Sequence, residues 1–238
     1  MKFFSDQARN GLLLAGLAGL SALSAAGDDR TCNLPAQIYG AEYRISTTVQ
    51  GGAEKTQPQT ETLRLLRSAS RVMHIHPQSR TADMWELNAR GTVHFSRFYD
   101  AEQRGIEFYQ AAAEPASQFD WEQVWQLAPE AVRTDNPPQR IEQQSGCARV
   151  ENYHYEKDGL EYELDWLSEQ QLVLAMVMTR DGQRVSWALE RVVEQADTLP
   201  REYQRRAAYI TIDFADLGDQ ESDPFFRSMK HSHGTGHP

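Results

Sequence analysis

Only two cysteines occur in the 238 residues, and no Cys-x-x-Cys pair is among them. That excludes a thioredoxin-type redox motif, a zinc ribbon and attached haem. Gly-x-Ser-x-Gly, His-Glu-x-x-His, Gly-x-Gly-x-x-Gly and the Walker loop are absent too, and no Ser or Cys sits in a recognisable nucleophile setting. The expectation is a protein that is not an enzyme. A basic excess is also missing: 24 Lys and Arg face 34 Asp and Glu, for a net charge of −10. Phosphate recognition needs a basic face, so nucleic acid is excluded as a partner, as is a surface that clings to anionic lipid. Fifteen glycines and ten prolines are too few for a fibre. Nine Phe, five Trp and nine Tyr are too many for a disordered chain. The length suits one full core and a single domain.

Long apolar runs are scarce, and the one that exists lies at the N-terminus. Lys2 and Arg9 precede an uncharged stretch from Gly11 to Leu23, which Ser24, Ala25 and Ala26 close. This is the layout of a secretory signal, with Ser24 and Ala26 at the −3 and −1 positions of the cut. As a helix the run reaches roughly 20 Å, short of a bilayer core of about 30 Å. Residues 1–26 are therefore read as a signal peptide. The mature chain is expected in the periplasm, with no stable membrane insertion after cleavage. Asp28, Asp29, Arg30 and Thr31 separate the small residues from Cys32, so no lipid-attachment cysteine follows the cut. In an oxidising compartment Cys32 and Cys147 are expected to pair. The chain-entropy model values so long a loop at roughly 4–5 kcal/mol.

Between Ile38 and Glu194 the pattern is one of strands interrupted once by a helix. Leu160, Tyr162, Leu164 and Trp166 alternate with Glu161, Glu163 and Asp165, the period of a strand with one buried face. Asp158-Gly159 and Asp181-Gly182 are hairpin signals flanking it and the next strands. Leu172 to Met178 is apolar throughout, which predicts cover on both faces, and Val185, Trp187 and Leu189 alternate again. Residues 43–49, 63–67, 71–76, 84–89, 92–99 and 105–110 complete an antiparallel meander of about ten strands. Asp120 reads as an N-cap with Gln123 three residues on, and Trp121, Val124, Trp125 and Ala128 then share one helical face. A second helical stretch runs from Pro200 to about Tyr209. A sheet curling around the Trp-rich helix places Trp85, Phe95, Trp121, Trp125, Leu164, Trp166, Met176, Met178 and Trp187 as candidate ligand-binding residues. They either fill a core or line a pocket that the helix partly plugs.

Histidines offer the competing chemistry. His74 and His76 share a face of one strand, and His94 joins them only if the sheet brings it round. His231, His233 and His237 crowd the C-terminal tail, a composition that attracts Zn²⁺, Ni²⁺ or Cu²⁺. The alternative function is accordingly periplasmic metal binding or delivery through that tail; otherwise no cofactor is expected. Asp213, Asp216, Asp219, Glu221 and Asp223 miss the EF-hand spacing.

Six strands, a helical insertion, and then Cys147…Tyr153-His154-Tyr155-x-x-x-Gly159…Trp166…Met176…Asp181-Gly182…Leu189-Glu190 resemble the half-barrel superfamily of periplasmic lipoprotein carriers. That group includes the outer-membrane lipoprotein chaperone, its membrane-anchored acceptor and a sigma-factor regulator. The resemblance spans roughly residues 38–194 and is one of pattern. It implies an open barrel of eleven or so strands, helices plugging the concave face, and a cavity for acyl chains. The Cys32–Cys147 pair is no hallmark of the group, and the segment after Leu199 has no counterpart in it. The fold expected is α+β: a curved antiparallel sheet over residues 27–199 with a plugging amphipathic helix, followed by a helical and irregular tail over 200–238. The function expected is an exported binding protein for a hydrophobic ligand or lipidated partner.

Overall fold

A computed structural model describes residues 31–35, 37–49, 58–108, 120–143, 146–220 and 222–233. Residues 1–26, expected to be a signal peptide, and His237 lie outside the described residues. Twelve strands form one open, curved sheet. In chain order they are β1 (Gly40–Val49), β2 (Gln59–Arg67), β3 (Arg71–His76), β4 (Thr81–Leu87), β5 (Val93–Tyr99) and β6 (Arg104–Phe108). After α1 (Trp121–Gln126) and α2 (Ala131–Thr134) come β7 (Arg140–Glu142), β8 (Val150–Lys157), β9 (Leu160–Leu167), β10 (Leu172–Arg180) and β11 (Gln183–Val193). Helix α3 (Thr198–Ala207), β12 (Ile210–Asp213), a 3-10 helix (Phe214–Asp219) and α4 (Pro224–His233) complete the chain.

The strand order is β12-β6-β5-β4-β3-β2-β1-β11-β10-β9-β8-β7. Two meanders thus meet where β1 lies antiparallel to β11. Gly40 permits the close approach of β1 to β2, since a Cβ there would stand 2.1 Å from the Leu65 carbonyl oxygen. Asp158-Gly159 and Asp181-Gly182 all have positive φ, the requirement of tight hairpin turns that right-twisted strands favour. The sheet exceeds the expected ten strands by β7 and β12. It is also not wholly antiparallel, because β12 runs parallel to β6 after α3 carries the chain across the sheet.

Cross-strand partners share a face, so the register defines two of them. On the outer face Leu66, Met73, Ile75, Ala82, Met84, Phe98 and Val193 are covered by Leu199, Tyr203 and Tyr209 of the α3 region. Arg206, with no exposed surface, donates from Nε and Nη2 to the Asp100 carboxylate at 2.9 and 2.7 Å and from Nη1 to Glu202 at 2.8 Å. A buried cation is tolerated because its partners are complete. Burial alone would raise the Asp100 carboxyl, but Arg206 and Arg205 hold it below the ordinary value. On the inner face the 3-10 helix and α4 seat Leu217 and Phe226 against Ile106. Asp213 and Asp223 of the acidic stretch cap these two elements through the N–H groups of Ala215 and Phe225.

Cys32 and Cys147 form the expected disulfide across 115 positions. Beside it the Ala148 N–H donates to the Thr31 carbonyl at 2.7 Å, tying the N-terminal segment to the start of β8. Among the described residues no helix is long and apolar enough to cross a membrane.

Candidate functional site

Helices α1 and α2 lie on the inner face and roof its apolar cluster. Asp120 caps α1 as expected, its carboxylate accepting the Gln123 N–H at 3.2 Å. The helix stops at Gln126 rather than Ala128: Leu127 turns to φ 68° and donates its N–H to the Gln123 carbonyl at 2.8 Å. Pro129 explains the early stop, because a residue that precedes proline is steered out of the helical region. Leu127, Ala128 and Val132 are nevertheless buried against the sheet.

All nine predicted ligand-binding residues belong to this one cluster. Trp85 and Phe95 are cross-strand partners, as are Leu164 and Met176, and Met176 and Trp187. Trp166 and Met178 lie two residues along from Leu164 and Met176, on the same face. The seven strand residues are buried, whereas Trp121 and Trp125 on α1 are only partly buried against them. The helix packs Trp121, Val124 and Trp125 against this cluster.

Two polar side chains that rise from the sheet grip the C-terminal carbonyls of α1. His74 lies with Nε2 2.7 Å from the Val124 carbonyl oxygen. Arg67 donates at 3.3 Å to the Trp125 carbonyl, and at 2.7 and 2.6 Å to the carbonyls of Gln171 and Gln170 in the β9–β10 turn. Its guanidinium also stacks 3.9 Å from the centre of the Trp125 ring, while the indole Nε1 donates to the Ser68 carbonyl at 2.9 Å. Among the described residues no carboxylate pairs with Arg67, which is 5% exposed, and burial lowers its pKa to about 10. It stays charged at neutral pH and finds its partners in backbone dipoles and an aromatic face. Arg133 of α2 adds a second cation over an indole, 4.3 Å from the Trp166 ring centre, and bonds the Gln126 side chain.

Sequence reasoning missed Arg67, Ser68 and the two glutamines. One signal was present: Leu63, Leu65 and Arg67 occupy alternate positions, so Arg67 shares the inward face of two core leucines. His74 serves the helix rather than a metal. It is 1% exposed, and burial lowers its pKa to about 4. Because Val124 offers only an acceptor, Nε2 carries the proton and Nδ1 is bare, with no hydrogen-bond partner among the described residues. His94 cannot join His74 and His76. It pairs with Glu86 on the outer face, because Phe95 beside it points inward. No three of His, Cys, Asp and Glu converge among the described residues. His231 and His233 fall in the last turn of α4, with side chains outside the description.

By fold, the chain is similar to PNGF-II, solved in space groups P21 and C2. The identities are 10% and 8%, the matches cover 75% and 73% of this chain, and the TM-score is 0.36 in both. Only 32% and 31% of PNGF-II is covered, so this chain spans about a third of that protein's length. It is also similar to a LolA superfamily protein from Nitrosomonas europaea, at 9% identity and a TM-score of 0.33, covering 72% of this chain and 92% of that one. No family model matches the chain, and no curated protein matches it.

The site thus combines a broad apolar sheet face with a short roof whose α1 indoles are only partly buried. The roof is fastened by hydrogen bonds to backbone carbonyls and by cation–ring stacking. Such fastenings are directional, and their donors and acceptors are ones that water can also satisfy, unlike the contacts of an interdigitated core.

Proposed function

We propose that this protein is an exported periplasmic binding protein that holds a hydrophobic ligand, or the acyl part of a lipidated partner, against the inner face of its sheet. One observation carries the reading. The six-residue helix α1 covers the largest apolar cluster with half-buried indoles, and its carbonyl end is held by His74 and by the buried Arg67 cation. A helix that served only as core would be fixed by deep side-chain burial. This one is fixed by polar contacts at its end, the arrangement of a cover that can open. Exchange of the two indoles for an alkyl chain replaces one apolar surface by another, at about 25 cal/mol per Å² each, so loading and release stay close to balance. Trp85, Phe95, Leu164, Trp166, Met176, Met178 and Trp187 would then meet the ligand, and Trp121 and Trp125 would yield to it. In this reading the protein binds and does not catalyse.

Titration of the folded protein with an apolar fluorescent probe, well below its melting temperature, tests the proposal. Saturable binding near one equivalent, competed by a long-chain lipid, is expected. Signal that rises only through the unfolding transition would overturn it. Metal delivery through the tail histidines is the second reading, and metal-dependent stabilisation of the intact chain would be its mark.

A further inference from the structure

The inner face is not uniformly apolar. Across β3 to β6 it is ordered in rows set by the register. The first row runs Val72, Trp85, Phe95, Phe108, with ring centres 5.2 Å apart from Trp85 to Phe95 and 5.2 Å from Phe95 to Phe108. The next row, about 7 Å along the strands, runs His74, Asp83, Arg97, Ile106. The row beyond is His76, Thr81, Tyr99, Arg104. One half of the sheet thus passes from aromatic to charged within two rows.

Asp83 is the anomaly. It is a carboxylate only 4% exposed, and it binds Arg97 in a fork, Nε to Oδ1 at 2.6 Å and Nη2 to Oδ2 at 2.7 Å. A buried carboxylate paired in this way contributes little net stability over an apolar pair of the same volume. What the fork does achieve is to fix the plane of the guanidinium. Arg97 itself is 45% exposed at the side chain and reaches back to within 5.8 Å of the Phe95 ring centre. Asp83 takes two of its five N–H donors, and the Tyr99 hydroxyl lies within reach as a further acceptor. Arg97 therefore stands where the aromatic row ends and solvent begins, oriented in advance, between the cover formed by α1 and the one formed by α4.

We propose that Arg97, positioned by Asp83, is a head-group site: the ligand is an amphiphile with a single anionic head, carboxylate or phosphate, whose hydrocarbon lies along Trp85, Phe95 and Phe108. The inference rests on the inner face being the binding surface, and it adds the chemical class of what binds. With a net charge of −10 the molecule as a whole repels anions, so a preference for an anionic ligand requires a local cation at the site.

Displacement of an apolar fluorescent probe by three amphiphiles of equal chain length tests it: laurate, dodecyl phosphate and the neutral 1-monolauroylglycerol. The wild type should bind at least one anion about tenfold tighter than the neutral ester, as one charge-assisted hydrogen bond provides. A gain for laurate alone marks a fatty-acid site, and a gain for dodecyl phosphate alone marks a phosphate-head site. Arg97→Gln should reduce anion affinity to the neutral level while leaving monolauroylglycerol binding unchanged, which also reports that the variant is folded. Raising salt from 0.05 to 0.5 M in the wild type, which needs no variant, should weaken the anions and spare the neutral ester. Equal affinity for all three in the wild type, or a preference that survives Arg97→Gln, overturns the head-group site and leaves the hydrophobic-binding reading standing. Failure of all three to displace the probe overturns that reading itself.

Discussion

Replacing Trp125 with Ala separates a removable cover from a permanent core. Full truncation of a buried Trp costs about 3–5 kcal/mol. Trp125 is only partly buried, so its packing contributes nearer about 2 kcal/mol. Loss of the indole bond to Ser68 adds about 1 kcal/mol, and loss of stacking on the desolvated Arg67 about 1 more. The expected destabilisation is about 3–4 kcal/mol, or roughly 10 °C in Tm for a domain of this size. Trp125→Phe keeps a ring over Arg67 but removes Nε1, and should cost about 1 kcal/mol beyond small repacking effects. Urea unfolding followed by far-UV circular dichroism gives the stabilities, and apolar-probe titration at 25 °C gives the binding. The account predicts that Trp125→Ala binds the probe more tightly than the wild type, with its sheet signal intact. The reasoning is refuted if the variant loses the full 3–4 kcal/mol yet takes up probe only as it unfolds.

Three further outcomes are expected. His74 has a folded pKa of about 4 against an ordinary value near 6.5, so the native state binds fewer protons than the unfolded chain between those values. Its contribution is constant above about pH 6.5 and declines as pH falls toward 4, by about 3 kcal/mol in all. His74→Gln keeps an N–H donor for Val124 and should flatten that part of the stability profile; parallel profiles would contradict the assignment. Thiol labelling of non-reduced, denatured protein should modify neither Cys32 nor Cys147, and replacing both with Ala should cost up to about 4–5 kcal/mol; stoichiometric labelling of either would show the bond absent. Deleting residues 231–238 should leave Tm nearly unchanged, because Phe226, 1% exposed, remains to anchor α4, whereas Phe226→Ala should cost about 3–4 kcal/mol. A large drop on deletion that requires added Zn²⁺ would favour the metal reading instead.

Local signals made most strands legible. The alternation through Leu160, Tyr162, Leu164 and Trp166 is β9, with Asp158-Gly159 the turn before it and Asp181-Gly182 the turn between β10 and β11. The unbroken apolar run from Leu172 marked β10, where Val173, Leu174, Met176, Val177 and Met178 are all buried. The nine expected residues, seven on strands and two on α1, meet in one cluster, but which strand face they share was not legible, because a one-residue slip in register turns every side chain over. What escaped was non-local. Strand β12 has four residues and pairs with β6, about a hundred positions earlier, so no window of sequence contains both partners. Strand β7, three residues after two prolines, is too short for any period to register. Arg67 reads as an ordinary strand-end cation until the β9–β10 turn and α1, from two other parts of the chain, bring their carbonyls to it. Asp83 and Arg97 are likewise separated by a turn and by the register of two strands, and only the folded sheet reveals them as a pair.

Native mass spectrometry of the protein purified from the cells that make it, without detergent, addresses the central claim most directly. The account predicts a fraction carrying one additional mass that is removed by organic extraction and identified as an amphiphile with an aliphatic chain. A protein that emerges only at its bare mass, and stays bare after incubation with lipid extract from the same cells, would contradict it.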